Sequence, residues 1–186
     1  MATTAAPYGL KPVKRVDGMP YAGATSQFLI DPAGTTASIY NGNTVKIASG
    51  YITATTTTGA DLTTNNLGTI GVFVGCEYIN AQGQVIHSQY YPTGTTGVIK
   101  AYVVTDPNVL FQAQSEGSIA QAEQGMVTAF AGATQTGSAT TGNSTNDIEA
   151  AVNADGCFTV VEFVSTAGDA FTDVLVKINS GHHVLA

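Results

Sequence analysis

Ile70–Ile79, with the sequence IGVFVGCEYI, is the strongest structural signal in the chain. It is a nearly continuous apolar run that includes β-branched and aromatic residues, and such a run is typical of a strand buried on both faces. Turn residues follow at Asn80–Gly83, and Gln84–Tyr91 then alternates partially between apolar and polar residues. The segment therefore predicts the centre of an antiparallel β-sheet.

Further candidate strands lie on both sides of this run, separated by turn signals about eight to twelve residues apart, a spacing typical of sandwiches and barrels. Asn41-Gly42 predicts a hairpin turn between Ser38–Tyr40 and Thr44–Ala48, because both turn residues tolerate positive φ. The sequence predicts an all-β fold, a β-sandwich or barrel-like, with an extended N-terminal arm. The other candidate strands are Val13–Val16, Thr25–Ile30, Val98–Val104, Val109–Gln114, Met126–Ala131, Phe158–Ser165 and Phe171–Asn179.

At most one short helix is expected. Ser118 and Gln121 have the spacing of a capping box, with Ser118 as the N-cap and the Gln121 side chain reaching back to it. Gly125 would end this helix.

Composition supports the all-β prediction and excludes several classes of function. Only 10% of the 186 residues are charged, 44% are hydrophobic, and the 21 glycines and many threonines favour turns and strands. The net charge is −7 and only six residues are basic, so direct nucleic-acid binding is not expected. No apolar run approaches the roughly 18 residues that cross a bilayer, so no membrane association is expected.

Two parts of the chain are predicted. Residues 1–16 are expected to form an extended N-terminal arm, and residues 17–186 a single β-rich domain with mobile loops near 49–69 and 132–146. Within Ser49–Thr69, one or two weak strands joined by exposed loops are expected. The second loop is a Gly/Ser/Thr run that is too polar to pack. Lys11, Lys14 and Arg15 place three of the six basic residues in the first fifteen positions. A basic segment on an acidic body indicates a docking arm, although a solvated strand end would have the same composition.

No catalytic, metal or cofactor site is predicted. Ala151–Glu162 resembles an EF-hand loop, but Ala151 stands where a carboxylate is expected and the residues from Phe158 predict a strand, so a tight turn is the alternative. His182 and His183 are expected in a hydrogen-bonded or solvated tail. The N-terminus has no features of a signal peptide, and Cys76 and Cys157 lie beside apolar runs, so both are expected to be buried, reduced thiols in a protein made in a cytoplasm.

Four stretches resemble a family of small structural proteins of tailed bacteriophages. Ala6–Val13 (APYGLKPV) is similar to the family's "APFGLRPV" start, and Leu67–Thr95 resembles its centre. Ala101–Phe111 resembles its "V-DDP-V-F" segment, and Val174–Asn179 followed by His182 is similar to its "VRIN-H" finish. The sequence departs from the family within Ser49–Leu67 and at Thr105, where the family often has Asp.

The resemblance implies a capsid decoration, or cement, protein of the virion. Such proteins are made in the host cytoplasm and bind the outer surface of the phage head, usually as homotrimers near threefold and quasi-threefold positions. The implied partner is the phage major capsid protein, and the family implies neither catalysis nor a cofactor. An arm that mixes an apolar anchor with cations suits this contact, so the predicted capsid-contact residues are Tyr8, Leu10, Lys11, Lys14 and Arg15.

Other assignments remain open at this stage. Leu10 and Val13 could pack within the subunit instead of against the shell. A tail- or fibre-associated adhesin would also be β-rich and Thr/Gly-rich, although it would more often carry a repeated motif or a shaft segment. An enzyme such as a lysozyme-type hydrolase would need converging carboxylates, for which the sequence shows no pattern.

Overall fold

The computed structural model describes residues 4–55, 68–132, 134–151 and 156–185. Within these ranges the chain forms eleven strands in two antiparallel sheets, arranged like a sandwich. The helical structure in the described residues is one 3₁₀ turn at Gln121–Glu123. The predicted all-β fold is therefore confirmed.

The first sheet has five strands in the order β1-β8-β11-β10-β9. The first strand of the chain therefore pairs with β8, from the middle of the sequence. The bounds of these strands are β1 Lys11–Arg15, β8 Val109–Gln114, β9 Val127–Thr128, β10 Phe158–Phe163 and β11 Asp173–Ile178.

The second sheet has six strands in the order β2-β7-β5-β3-β4, and β6 also pairs with β5. It curls enough to bring its end strands β2 and β4 into contact. The bounds of these strands are β2 Ser26–Ile30, β3 Thr44–Ala48, β4 Tyr51–Ala54, β5 Thr69–Ile79, β6 Val85–Ser88 and β7 Ile99–Val104.

Strand β5 lies at the centre of the six-stranded sheet and contains the run from which the fold was predicted. Val72 packs into the core that β5 shares with the five-stranded sheet, whereas Phe73 packs into a second core inside the curl of its own sheet. Gly71 has φ +148°, and a Cβ added there would lie 1.9 Å from the carbonyl oxygen of Val104. The absence of a side chain at Gly71 therefore allows β7 to approach β5 closely.

The N-terminal segment is extended, as predicted, but it belongs to the body of the protein. Strand β1 pairs antiparallel with β8, and Leu10 is 1% exposed in the core between the sheets. The boundary predicted at residue 16 therefore does not divide an arm from a domain. The buried Leu10 side chain and the hydrogen bonds between β1 and β8 make this segment part of the five-stranded sheet.

The two predicted loops contain ordered structure. Tyr51–Ala54 in the first forms β4, while residues 56–67 lie outside the described residues. In the second, Ser144 and Asn146 are buried, and Gly137 pairs with Ser144. The expectation that this run is too polar to pack is wrong for these residues, because hydrogen bonds satisfy the polar groups that are buried.

Two local predictions are also wrong. Asn41-Gly42 does not join a hairpin, because Ile39 pairs with Tyr91 instead of with β3. Ser118 does not cap the helical turn. The turn begins after Ala120, whose amide donates to the Glu123 carboxylate at 2.6 Å. The side chain that accepts from the N-cap amide is therefore Glu123 and not the predicted Gln121.

Candidate interaction surface

The outer face of the five-stranded sheet, opposite the core, collects three of the five residues predicted to contact a capsid. Phe111, Val174 and Val176 point from β8 and β11 into the core, so the residues that alternate with them face outward. Lys11 lies opposite Gln112, and Lys14 lies opposite Leu110, both of which are on this outer face. The outer face is defined here by Tyr8, Lys11, Lys14, Leu110, Gln112, Gln114, Glu162, Asp173, Leu175 and Lys177.

A register shift at Val13 is what places both lysines on this face. Pro12 pairs with Phe111 and Lys14 with Leu110, so Val13 is an extra residue in β1. Side chains three apart in a regular strand point to opposite faces, whereas one inserted residue returns the second to the same face. The Val13 carbonyl accepts a hydrogen bond from Tyr21 at 3.0 Å, so the bulge is tied to the chain that follows β1.

Tyr8 lies over the end of β11, where it contacts Asp173 and Lys11. Its hydroxyl donates to Asp173 at 2.8 Å, and the Lys11 ammonium lies 4.3 Å from the centre of its ring. Burial, followed by the hydrogen bond to Asp173, raises the pKa of Tyr8 well above its usual value. Tyr8 is therefore a neutral hydrogen-bond donor and an aromatic platform beneath a cation.

Lys14 forms an ion pair with Glu162 across two intervening strands. Leu110 and Leu175 belong to those strands and are 2% and 4% exposed, although both face outward. Outward apolar residues of this kind are covered by the stems of long charged side chains. Lys14 thus spans the strands that carry these two leucines to reach Glu162, whereas the Lys11 ammonium lies over the Tyr8 ring.

Arg15 and Leu10 lie elsewhere. Arg15 is at the end of β1, where its guanidinium lies 3.2 Å from Asp106 and 3.7 Å from Asp17. Leu10 packs into the core, on the other side of the sheet from Tyr8, so its assignment as a contact residue is corrected to packing within the subunit. Val13, the other residue for which packing was considered, is 41% exposed.

Lys177 and Asp173 were missed by the sequence analysis, although the signal was present. Val174, Val176 and Ile178 occupy every second position in the candidate strand Phe171–Asn179, a pattern that indicates one apolar face. Asp173, Leu175 and Lys177 alternate with these residues and therefore lie on the opposite face of the strand. Joining that face to Lys11 and Lys14 requires the pairing of β1 with β8, which joins residues about a hundred positions apart.

A second charged group lies on the outer face of the six-stranded sheet. Glu77 accepts a hydrogen bond from the Tyr102 hydroxyl at 3.1 Å, and its oxygens lie 3.5 Å from Lys100 and 3.8 Å from His87. The hydrogen bond from Tyr102, together with the charge of Lys100, lowers the pKa of Glu77. Glu77 is therefore ionised at neutral pH, and the positive charge of Lys100 balances its negative charge.

Those residues considered for metal binding or nucleophilic chemistry that the structure describes have structural roles. Asn153 and Asp155 of the EF-hand-like stretch lie outside the described residues, and Glu162 lies on β10 and pairs with Lys14. Across the described ranges, no three His, Cys, Asp or Glu side chains are grouped to hold a metal ion.

Both cysteines are buried and free, as the sequence predicted. Burial raises the pKa of each thiol to about 12, so neither is a thiolate at neutral pH.

The two adjacent histidines are buried in a segment that pairs with the start of β5. The Thr69 amide donates to the carbonyl of His182 at 3.0 Å, and the Val184 amide donates to the carbonyl of Thr69 at 2.8 Å. The amide of Leu185 donates to Nδ1 of His183 at 3.2 Å. Of the two possibilities considered for this tail, the hydrogen-bonded one is confirmed.

In the part of the chain that is described, no helix is long and apolar enough to span a bilayer. Comparison of the chain with protein-family models, with curated proteins and with solved structures gave no match.

Proposed function

We propose that the chain is a virion structural protein, a decoration protein that binds the outer surface of a phage head. In this role it stabilises the mature capsid by bridging neighbouring subunits of the major capsid protein. The proposal rests on the resemblance at Ala6–Val13, Leu67–Thr95, Ala101–Phe111 and Val174–Asn179. The observation that supports it best is that Tyr8, Lys11 and Lys14, all within or next to the first of these stretches, lie on one outward face.

The chemistry of this face suits a repeated, moderate contact. Lys11 can form an ion pair with an acidic group of a shell, and Lys14 can do so in exchange for its pair with Glu162, while Tyr8 contributes apolar area. Exposed ion pairs contribute about 1 kcal/mol or less each. Many weak contacts are sufficient on a lattice, because each protomer that bridges two subunits is held at more than one point.

Binding to the mature lattice alone would stabilise it by mass action. A protein that binds one state and not another shifts the equilibrium toward the state it binds. A homotrimer near threefold positions would contact several capsid subunits at once, which is the arrangement we propose on the particle. No catalytic step is part of this function.

The test is co-sedimentation with expanded heads that lack the decoration protein. Lys11→Gln combined with Lys14→Gln should lower occupancy on the heads, and more strongly at low ionic strength, because salt screens the ion pairs. Lys46→Gln combined with Lys100→Gln is the matched control, since it removes the same charge from the six-stranded sheet.

Equal occupancy by the two double variants would mean that the outer face of the five-stranded sheet is not the contact. If wild-type protein does not bind heads under any salt condition and immunolabelling places it on tails, the decoration function itself is overturned in favour of a tail-associated role.

A further inference from the structure

Strand β6 is an open edge. It pairs with β5 through Cys76↔Ser88, Glu77↔His87, Tyr78↔Ile86 and Ile79↔Val85, without a register shift. In the described residues no other strand pairs with it. Natural proteins protect such edges with lysine, proline or bulges. The sequence of β6, Val85-Ile86-His87-Ser88, has none of these.

The backbone groups at this edge point away from β5. The amide of Asn80 donates to the carbonyl of Gln84 in the turn between the strands. Because hydrogen-bonded and non-hydrogen-bonded pairs alternate in an antiparallel ladder, the next hydrogen-bonded pair is Tyr78 with Ile86. The amides and carbonyls of Val85 and His87 are therefore directed outward, where another strand could bind them.

An exposed apolar row leads to the same edge. Ile79 lies opposite Val85 on β6, and Val98 continues the register of β7 on its other side. These three side chains are 59%, 55% and 68% exposed, and all point away from the core of the six-stranded sheet. Of the three, Val85 lies on the edge strand itself, so a strand that pairs with β6 would cover part of its apolar surface, which is favourable.

Charge favours a second copy of this chain at β6. With a net charge of −7, most surfaces of two copies would repel each other. The β6 edge is an exception, because the strand has no acidic residue and the neighbouring Glu77 is compensated by Lys100. Two copies can approach here without opposing like charges.

We propose that β6 pairs with β6 of a second copy in antiparallel fashion about a two-fold axis. The register that brings the outward backbone groups together centres on Ile86, with Ile86 opposite its counterpart, Val85 opposite His87 and Ser88 opposite Gln84 of the second copy. In this register the outward amides and carbonyls of Val85 and His87 bond each other in both directions. The two six-stranded sheets then continue across the axis, and the edge is removed.

This pairing is independent of the proposed capsid function. A cyclic trimer needs two different complementary surfaces on each protomer, whereas a two-fold pair uses one surface twice. Both contacts can therefore exist in one assembly, where β6 would join protomers of adjacent trimers.

The first test is sedimentation velocity of the full chain over a concentration series without heads. Wild-type protein should associate reversibly through a dimer. Val85→Lys should lower the association constant by about tenfold or more. Val164→Lys is the matched control, because Val164 is 51% exposed, lies after β10, and gains the same charge. It should associate like wild type.

The second test reports the register and does not depend on the lysine variant folding. Ile86→Cys should form a covalent dimer under mild oxidation, since the two residues face each other across the axis and the native cysteines are buried. The control is Val164→Cys, at a position more exposed than Ile86, and it should cross-link no faster than random collision allows.

A wild-type chain that remains monomeric at high concentration overturns the pairing. So does equal association of the two lysine variants, or cross-linking of the two cysteine variants at equal rates. A trimer whose size is unaffected by Val85→Lys also overturns it, while leaving the capsid proposal intact.

Discussion

Gln135 completes the hydrogen bonding of Thr44 in the way that a neighbouring strand would. Its side-chain oxygen accepts from the Thr44 amide at 2.7 Å, and its side-chain nitrogen donates to the Thr44 carbonyl at 2.7 Å. The same nitrogen lies 2.9 Å from the carbonyl of Thr55, beyond the end of β4. One amide side chain thus joins the segment around residue 135 to the six-stranded sheet.

Replacing Gln135 should therefore destabilise the fold. Gln135→Ala removes the partner of the Thr44 amide and of the Thr55 carbonyl, whereas the Thr44 carbonyl keeps its bond from the Thr55 amide. Loss of the partner of a buried polar group costs about 1–3 kcal/mol. Gln135→Glu should cost more, because a carboxylate cannot donate to two carbonyls. Chemical denaturation would measure both changes against Gln82→Ala, in an exposed turn. A Gln135→Ala variant as stable as the control would mean that the segment is not fixed by this side chain.

Leu10→Ala should destabilise the chain by about 2–5 kcal/mol, the usual cost of truncating a leucine in a packed core. Leu29→Ala makes the same change at a side chain that is exposed on β2 and should stay within about 0.5 kcal/mol of wild type. Thermal or urea unfolding measures the difference. Equal stability of the two variants would contradict the placement of the N-terminal segment in the core.

Stability should fall as the pH drops below about 6.5, the usual pKa of histidine. Burial lowers the pKa of both His182 and His183 in the folded state, with Asp106 opposing and Lys177 assisting the shift at His183. The unfolded chain then binds more protons than the folded one between the folded and unfolded pKa values. Stability is fully present above the unfolded pKa and is lost as the pH falls toward the folded one.

The check is the melting temperature between pH 7.5 and pH 5 for wild type and for His183→Gln. The variant should lose part of the pH dependence, whereas His87→Gln, at an exposed position on β6, should retain it. An identical pH profile for wild type and His183→Gln would exclude His183 as a source of the effect.

Neither thiol should react with a thiol reagent in the folded protein. Cys76 and Cys157 are buried with pKa values raised to about 12, so the reactive thiolate is scarce at neutral pH. Both should react at once in denaturant. Fast labelling of one thiol without denaturant would reveal local opening around that strand.

Chelators should leave the melting temperature unchanged. This expectation follows from Ala151, where an EF-hand loop needs a carboxylate, and from the pairing of Glu162 with Lys14. Thermal melts with EDTA and with added Ca²⁺ measure it. A drop of several degrees with EDTA, restored by Ca²⁺, would show that a metal is bound.

Strands in the middle of the chain could be predicted closely because their signal is local. Val109–Gln114 forms β8 with the predicted bounds, and Ile70–Ile79 is extended by one residue in β5. Apolar periodicity is sufficient where both faces of a strand are buried. In the N-terminal segment the one buried apolar side chain, Leu10, lies just before β1, among prolines and cations. The local pattern therefore does not indicate that β1 pairs with β8.

The candidate surface was predictable only in part, for a similar reason. Composition identified Tyr8, Lys11 and Lys14, but their common face depends on the inserted residue Val13, which no periodicity indicates. The segment around Gln135 is fixed by side-chain hydrogen bonds to Thr44 and Thr55, and Thr- and Gly-rich sequences give no advance sign of such bonds.

The bulge in β1 makes the outward position of Lys14 depend on the backbone path rather than on side-chain chemistry. If Val13 were kept but β1 paired regularly, Lys14 would lie opposite Val109 and face the core. Deleting Val13 would remove the bulge and leave Lys14 opposite Leu110 on the outer face, at the loss of the hydrogen bond from the Tyr21 amide to the Val13 carbonyl. Homologous chains would therefore be expected to keep the bulge and its extra residue together, or to lose both together.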